Sequence, residues 1–284
     1  MKVIITGAGG LVGGCLARRF GRGHEVLAPR RAELNVTDAG AVGRFIKEAR
    51  PQLVVNCAVL GVDECERDPE LARAVNAGAT RALAAAASAA GAEFLHFSTN
   101  YVFDGEGREP YGERDEPRPV NVYGRTKEEG ERAAFEANPR SYVVRTSWVF
   151  GAGKESFLST AHRELAAGRG IRAISDTWAS VTYVEDLVSR VGEIVRSNRH
   201  GLYHVVNEGV CTYEDFAREA ARLAGLNEEE SARLVETVTE SRVRRPARRP
   251  RYTPLRCTTA TEIGLPPLRH WREALADFVA EARP

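Results

Sequence analysis

Five short apolar runs separated by helical patterns fill the first half of the chain, and that alternation leaves few folds open. The runs are KVIIT (2–6), EVLA (25–28), LVVN (53–56), EFLHFS (93–98) and SYVVRT (141–146). Each is apolar or β-branched almost throughout, the mark of a strand covered on both faces. Helical patterns occupy 10–20, 38–49, 69–90 and 122–137. The plainest is LARAVNAGATRALAAAASAA (71–90), where alanine favours helix and small side chains permit close packing on a sheet. Strand–helix alternation predicts right-handed crossovers and a doubly wound parallel sheet, an α/β fold.

Beyond residue 150 the pattern loosens. Helices are expected at 155–168, 184–198, 212–224 and 227–237, and strands near 171–174 and 202–206. The segment VRRPARRPRYTPL (243–255) is proline-rich and reads as extended. The expected division is a dinucleotide-binding domain over 1–150, together with part of 180–205. A smaller, interleaved α/β substrate domain takes most of 151–284.

The first glycines follow a buried strand and open a helix: VIITGAGGLVGGCLARRF. That position suits a Rossmann-type phosphate turn. Gly7, Gly10 and Gly13 let the backbone approach a pyrophosphate, and Leu11 and Val12 lie at the helix N-terminus that receives it. At the end of the second strand, EVLAPRRAELNVTD has Arg30 and Arg31 where an acid for a free ribose hydroxyl is usually sought. Two guanidiniums suit a 2′-phosphate, so NADPH is favoured over NADH. Asn35 and Val36 are placed near the adenine, and Asp38 as the cap of the next helix. Asn56, Cys57 and Ala58 leave the third strand at its carboxyl end and are candidates for cofactor contact. In DECERD (63–68), Asp63 and Glu64 read as solvated, and Asp68 as the cap of a helix that begins at Pro69.

The segment from Ser98 to Lys127 joins a fourth-strand end to a helix, and it carries more chemistry than a surface loop needs. Thr99 lies just past the strand. Tyr123 and Lys127 are four residues apart, on one face of the following helix. A lysine beside a phenol would lower the phenol's pKa and could also reach the nicotinamide ribose. Thr99 would hold a carbonyl while Tyr123 protonates its oxygen, a pattern for hydride-transfer chemistry.

TGAGGLVG, NCAVLGVDECE, STNYVFDG, PYGERDEPRPVNVYGRTKEEGE, RTSWVFG and GLYHVVNEGVCTYEDFA together resemble the extended short-chain dehydrogenase/reductases, and most closely the dTDP-4-dehydrorhamnose reductase family. The resemblance runs through nearly the whole chain and weakens after about residue 225. It implies NADPH-dependent reduction of the C4 ketone of a nucleotide-linked 6-deoxy-4-keto sugar. By motif position it gives Thr99, Tyr123 and Lys127 as the catalytic set, and Tyr101 and Trp148 as sugar contacts, with Arg145 beside them. Two departures stand out. Asn100 replaces the family's usual aspartate, and DTWASVT (176–182) lacks the usual glycine and proline of a pocket segment. No carboxylate follows Thr99 directly, which argues against a sugar dehydratase.

The tract RVRRPARRPR (242–251) reads as a solvated loop, as a clamp for a diphosphate, with Arg249 the candidate, or as a nucleic-acid patch. A formal net charge of +1 gives no global attraction to nucleic acid or membrane. No apolar run approaches the length of a membrane span, and no signal-peptide pattern opens the chain. Five scattered cysteines and six histidines without ligand spacing suggest reduced thiols, a cytoplasmic setting and no metal. A homodimer stays open. The alternatives are a non-catalytic nucleotide-binding regulatory subunit, like that of methionine adenosyltransferase, and an epimerase or reductase of another sugar nucleotide.

Overall fold

The computed structural model describes residues 1–281. In chain order the first half contains β1 (Lys2–Thr6), α1 (Leu11–Phe20), β2 (Glu25–Leu27), α2 (Ala39–Ala49), β3 (Leu53–Asn56), α3 (Val62–Arg67), α4 (Pro69–Arg73), α5 (Ala79–Ala89), β4 (Glu93–Thr99), α6 (Val122–Ala137) and β5 (Ser141–Thr146). The second half continues with β6 (Val149–Phe150), α7 (Phe157–Ala166), β7 (Ile171–Ile174), β8 (Trp178–Ala179), β9 (Thr182–Tyr183), α8 (Val184–Ser197), β10 (Gly201–His204) and β11 (Asn207–Glu208). It ends with α9 (Tyr213–Leu223), α10 (Glu228–Leu234), β12 (Val235–Val238), β13 (Tyr252–Thr253), α11 (Thr259–Glu262), β14 (Leu268–His270) and α12 (Trp271–Glu281). No helix among the described residues is long and apolar enough to cross a membrane.

Six strands form one parallel sheet in the order β2–β1–β3–β4–β5–β10. The order reverses between β1 and β3, and open α/β sheets bind ligands outside the carboxyl ends of the strands at such a point. Register brings the polar ends together there: Thr6 opposes Asn56, Asn56 opposes His96, and Thr99 opposes Thr146. Successive residues of β1 face opposite layers. Val3 and Ile5 join a cluster with Leu16, Tyr142, Val184, Phe216, Trp271 and Phe278, whereas Ile4 packs with Ile46, Val54, Leu83 and Phe94. The first cluster draws on both halves of the chain, so the later helices are built onto the sheet's own core.

The helix caps follow the sequence expectation. Asp38 accepts from Ala41 N–H and Asp68 from Leu71 N–H, both at 2.9 Å, with Pro69 opening α4. Two element readings change. The stretch 69–90 is not one regular helix, because a π-helical turn at Ala74–Gly78 separates α4 from α5. There Asn76 accepts Leu60 N–H at 2.9 Å and donates to Thr126 at 3.1 Å, tying the widened turn to α6. The helix expected over 227–237 stops at Leu234. Val235, Thr237 and Val238 are better suited to a strand, and β12 pairs with β7.

Candidate active site

Gly7 leaves β1 at φ +70°, and a Cβ there would come within 2.5–2.6 Å of the Cys57 and Ala58 backbone. Only glycine lets the first and third strand exits lie this close. Gly10 caps α1 without a side-chain hydrogen bond, and the first turn holds no acid. The N–H groups of Leu11, Val12 and Gly13 therefore point out of the helix without partners within it, as a cradle for an anion. These features fit the pyrophosphate of a dinucleotide. Arg30 and Arg31 are exposed beyond β2, and the Arg30 side chain is 87% exposed with Glu33 4.0 Å away. Asn35 is exposed and accepts Thr37 N–H, and Val36 is half-buried. Asn56 has no side-chain atom left for a cofactor. Its Oδ1 accepts from Thr6 Oγ1 at 2.8 Å and from Ala58 N–H at 3.1 Å, and its Nδ2 contacts Thr80 and His96. It braces the strand exit instead.

Helix α6 begins at Asn121, whose side chain accepts Gly124 N–H at 2.7 Å. A Cβ at Gly124 would meet the Tyr101 carbonyl at 2.1 Å, so the helix can approach the β4 exit only with glycine at this position. That contact sets Tyr123 beside Thr99 and Tyr101. The Tyr101 and Tyr123 rings meet edge to face at 5.9 Å, and the Thr99 side chain lies close enough to the Tyr123 phenol to favour its ionised form. Thr99 Oγ1 is itself fixed by accepting Tyr101 N–H at 3.1 Å.

Lys127 does not lie against the phenol in the free protein. Its Nζ donates to Phe97 O at 2.5 Å and sits 3.0 Å from His96 Nε2. Burial pushes the Tyr123 phenol up, and only the Thr99 side chain opposes it. The expected depression of the phenol by Lys127 is thus absent. Lys127 is the group displaced toward neutrality: burial lowers it to about 8, opposed by the charge of Glu131.

Around the phenol stand the half-buried side chains of Tyr101, Trp148 and Tyr213. Trp148 has φ +39°, a strained value for a non-glycine residue. It is held there by the Thr182 N–H donated to its carbonyl and by ring stacking on Tyr213 at 3.9 Å. Its buried indole N–H lacks a hydrogen-bond partner. Arg245 and Arg249 act electrostatically on both Tyr101 and Tyr213, as does Glu240. Asn100 bonds Thr253 at 2.7 Å, and β8 of the DTWASVT segment pairs with β13, so both departures from the family pattern are anchored by the same strand.

Two arginine expectations change. Arg145 is 2% exposed and grips Glu131 through two bonds of 2.6 and 2.8 Å, with Phe103 beneath it at 5.2 Å. It is a buried structural pair rather than a sugar contact. Arg249 is not a free clamp, because both its terminal nitrogens bind Asp63, at 3.0 and 2.8 Å. Asp63 is therefore not the solvated acid that its sequence suggests. Tyr213, Glu240, Arg245 and His96 escaped sequence reading. Tyr213 alone had a local signal, as the first helical residue behind the Thr212 cap, within the Thr212–Asp215 capping box.

A family model described as RmlD substrate binding domain matches residues 1–283. The chain belongs to the RmlD substrate binding domain family. A family relative, the dTDP-4-dehydrorhamnose reductase of Mycolicibacterium smegmatis, is 43% identical over 98% of this chain and 85% of its own. The crystal structure of a dTDP-4-dehydrorhamnose reductase from Clostridium acetobutylicum superposes with a TM-score of 0.91, at 35% identity and 99% coverage of both chains. That of the Bacillus anthracis dTDP-4-dehydrorhamnose reductase in complex with NADP gives 0.92, at 30% identity and 99% coverage of both. The RmlD match spans the glycine loop, the threonine–tyrosine pair and the aromatic residues alike.

Proposed function

We propose that this chain is an NADPH-dependent reductase of the C4 ketone of a dTDP-linked 6-deoxy-4-keto sugar. The observation that carries this reading is the Thr99–Tyr123 pair at the carboxyl edge of the same sheet as the glycine turn, with the Tyr101 ring against the phenol. When bound, the dinucleotide supplies a hydride to the carbonyl carbon. Thr99 holds the carbonyl oxygen and Tyr123 gives it the phenolic proton. Burial keeps that phenol protonated at working pH, the state a general acid needs at the start of a reduction. Lys127 would hold the nicotinamide ribose. Leu11, Val12 and Gly13 N–H groups would hold the pyrophosphate, and Arg30 with Arg31 would hold a 2′-phosphate.

Trp148, Tyr213 and Tyr101 give flat apolar walls with phenolic hydroxyls for a deoxysugar. Arg245 is the guanidinium for the sugar diphosphate, since its ion pair with Glu240 is loose at 3.8 Å while Arg249 is held by Asp63 at 2.8 Å. The catalytic side chains are all present, which speaks against a non-catalytic regulatory subunit. Consumption of NADPH with dTDP-4-dehydrorhamnose tests the reading directly. Tyr123→Phe is expected to lose 10²-fold or more in kcat with NADPH affinity kept. Near-normal turnover would reject Tyr123 as the acid, and no consumption by the parent chain would reject the reductase.

A further inference from the structure

Lys127 is met by a hydrogen-bond network whose polarity can be traced from one unambiguous donor. The backbone N–H of Ala58 points at Asn56 Oδ1, at 3.1 Å, which fixes the orientation of that amide. The Thr6 hydroxyl at 2.8 Å agrees. Asn56 Nδ2 is therefore the donor that faces His96 Nδ1 at 3.2 Å and Thr80 Oγ1 at 3.1 Å; Thr80 in turn donates to Asn76 O at 2.8 Å. A neutral imidazole has one bare nitrogen and one N–H. With Nδ1 accepting from Asn56, the proton belongs on Nε2, which lies 3.0 Å from Lys127 Nζ. His96 is fully buried and burial holds it well below the usual histidine range, so a doubly protonated ring is not the alternative.

We propose that His96 is a positioning residue for Lys127: it donates its Nε2–H to the lysine, which fits the network only as an uncharged amine, and Lys127 takes up a proton from solvent when the dinucleotide binds. An ammonium has no lone pair to accept that N–H, but it can donate to ribose hydroxyls. Binding would thus exchange the His96 contact for ribose contacts, with one proton added to Nζ. The groups facing Lys127 are Glu131 on its own helix, Cys57 and Cys65 from the β3 exit and α3, and His96 from β4. Both thiols are pushed up by burial and stay protonated; only Glu131 is charged, and it works against the neutral amine while shared with Arg145. Burial already brings Lys127 to about 8, and the donated N–H acts in the same direction.

This inference rests on the dinucleotide reading above, and its tests separate the two. In the ¹⁵N-histidine spectrum of the free full-length protein at pH 9, where the lysine is uncharged, with the signal assigned by its loss in His96→Gln, His96 is expected as the neutral tautomer with bare Nδ1 and protonated Nε2. A protonated Nδ1 overturns the proposal without touching cofactor binding. Calorimetric titration with NADPH at pH 9, in two buffers of different ionisation enthalpy, is expected to show uptake of about 0.9 proton, falling toward zero at pH 6 as a lysine near 8 is already charged. The 2′-phosphate, with its second ionisation near 6, is fully ionised at pH 9 and contributes nothing there. His96→Gln offers a carboxamide oxygen to an ammonium, so the midpoint of proton uptake is expected to move up by a pH unit or more. Binding without uptake, or a midpoint unmoved in His96→Gln, refutes this inference alone. Absence of any NADPH binding would sink the cofactor reading and the uptake with it.

Discussion

Replacing Glu131 by glutamine is expected to cost stability rather than substrate affinity. The side chains of Arg145 and Glu131 are 3% and 6% exposed, and the pair is bidentate at 2.6 and 2.8 Å. The third guanidinium nitrogen, Arg145 Nη1, already lacks a partner, so the arginine has little reserve if its carboxylate is removed. Ser98 also donates to Glu131 and can keep that bond to a glutamine oxygen. The remaining loss is an uncompensated buried charge, about 3–5 kcal/mol. Against a typical total stability of about 5–15 kcal/mol this is a large fraction. At a urea m-value of roughly 3 kcal/mol/M it moves the unfolding midpoint down by about 1 M or more. The companion double variant, Glu131→Leu with Arg145→Met, removes both charges and is expected to unfold within about 2 kcal/mol of the parent. Urea titrations of the parent, Glu131→Leu, Arg145→Met and the double variant give the coupling directly. The reasoning fails if Glu131→Gln loses less than about 1 kcal/mol, or if the double variant is as unstable as the single ones. It fails equally if Arg145→Met leaves stability intact and raises the KM for the sugar nucleotide, which would restore Arg145 to the substrate site.

Three further outcomes follow from the same geometry. Lys127→Met is expected to be more stable than the parent by about 3 kcal/mol at pH 6.5, the equivalent of the displacement from 10.5 to about 8. The unfolded chain holds the lysine proton up to higher pH, so this penalty is full below pH 8 and fades by pH 10.5; urea unfolding at both ends of that window checks the sign. Arg30→Ala is expected to raise the KM for NADPH several-fold and leave that for NADH unchanged, and equal effects would remove the 2′-phosphate assignment. Tyr213→Ala takes away the ring stacked on Trp148 and frees a strained backbone, so the KM for the sugar nucleotide is expected to rise about tenfold with NADPH binding unaltered; a change in NADPH binding instead would place Tyr213 outside the sugar cleft.

What the sequence conveyed and what it withheld divide along the range of the interactions. The five strands and α6 were legible because burial on both faces and a 3.6-residue period are written into contiguous residues, and Thr99, Tyr123 and Gly7 are positioned by that local order. The arginines were not legible, because the fate of a guanidinium depends on which carboxylate the fold delivers to it. Arg249 and Asp63 are 186 residues apart in the chain and 2.8 Å apart in space. Arg145 is consumed by Glu131 from a neighbouring helix, whereas Arg30 keeps its head in solvent and Arg245 has only a loose partner. Four like charges thus meet separate fates, two locked into short ion pairs and two held only at 3.8 to 4.0 Å. The lysine follows the same rule: its spacing from Tyr123 predicted contact with the phenol, but a histidine on β4 and a carbonyl at the strand end offered partners at 3.0 and 2.5 Å. Helical spacing puts two side chains on one face. Which of them meet is settled by the hydrogen-bonding groups of the sheet beneath, and here that sheet holds the lysine away from the acid it is expected to serve.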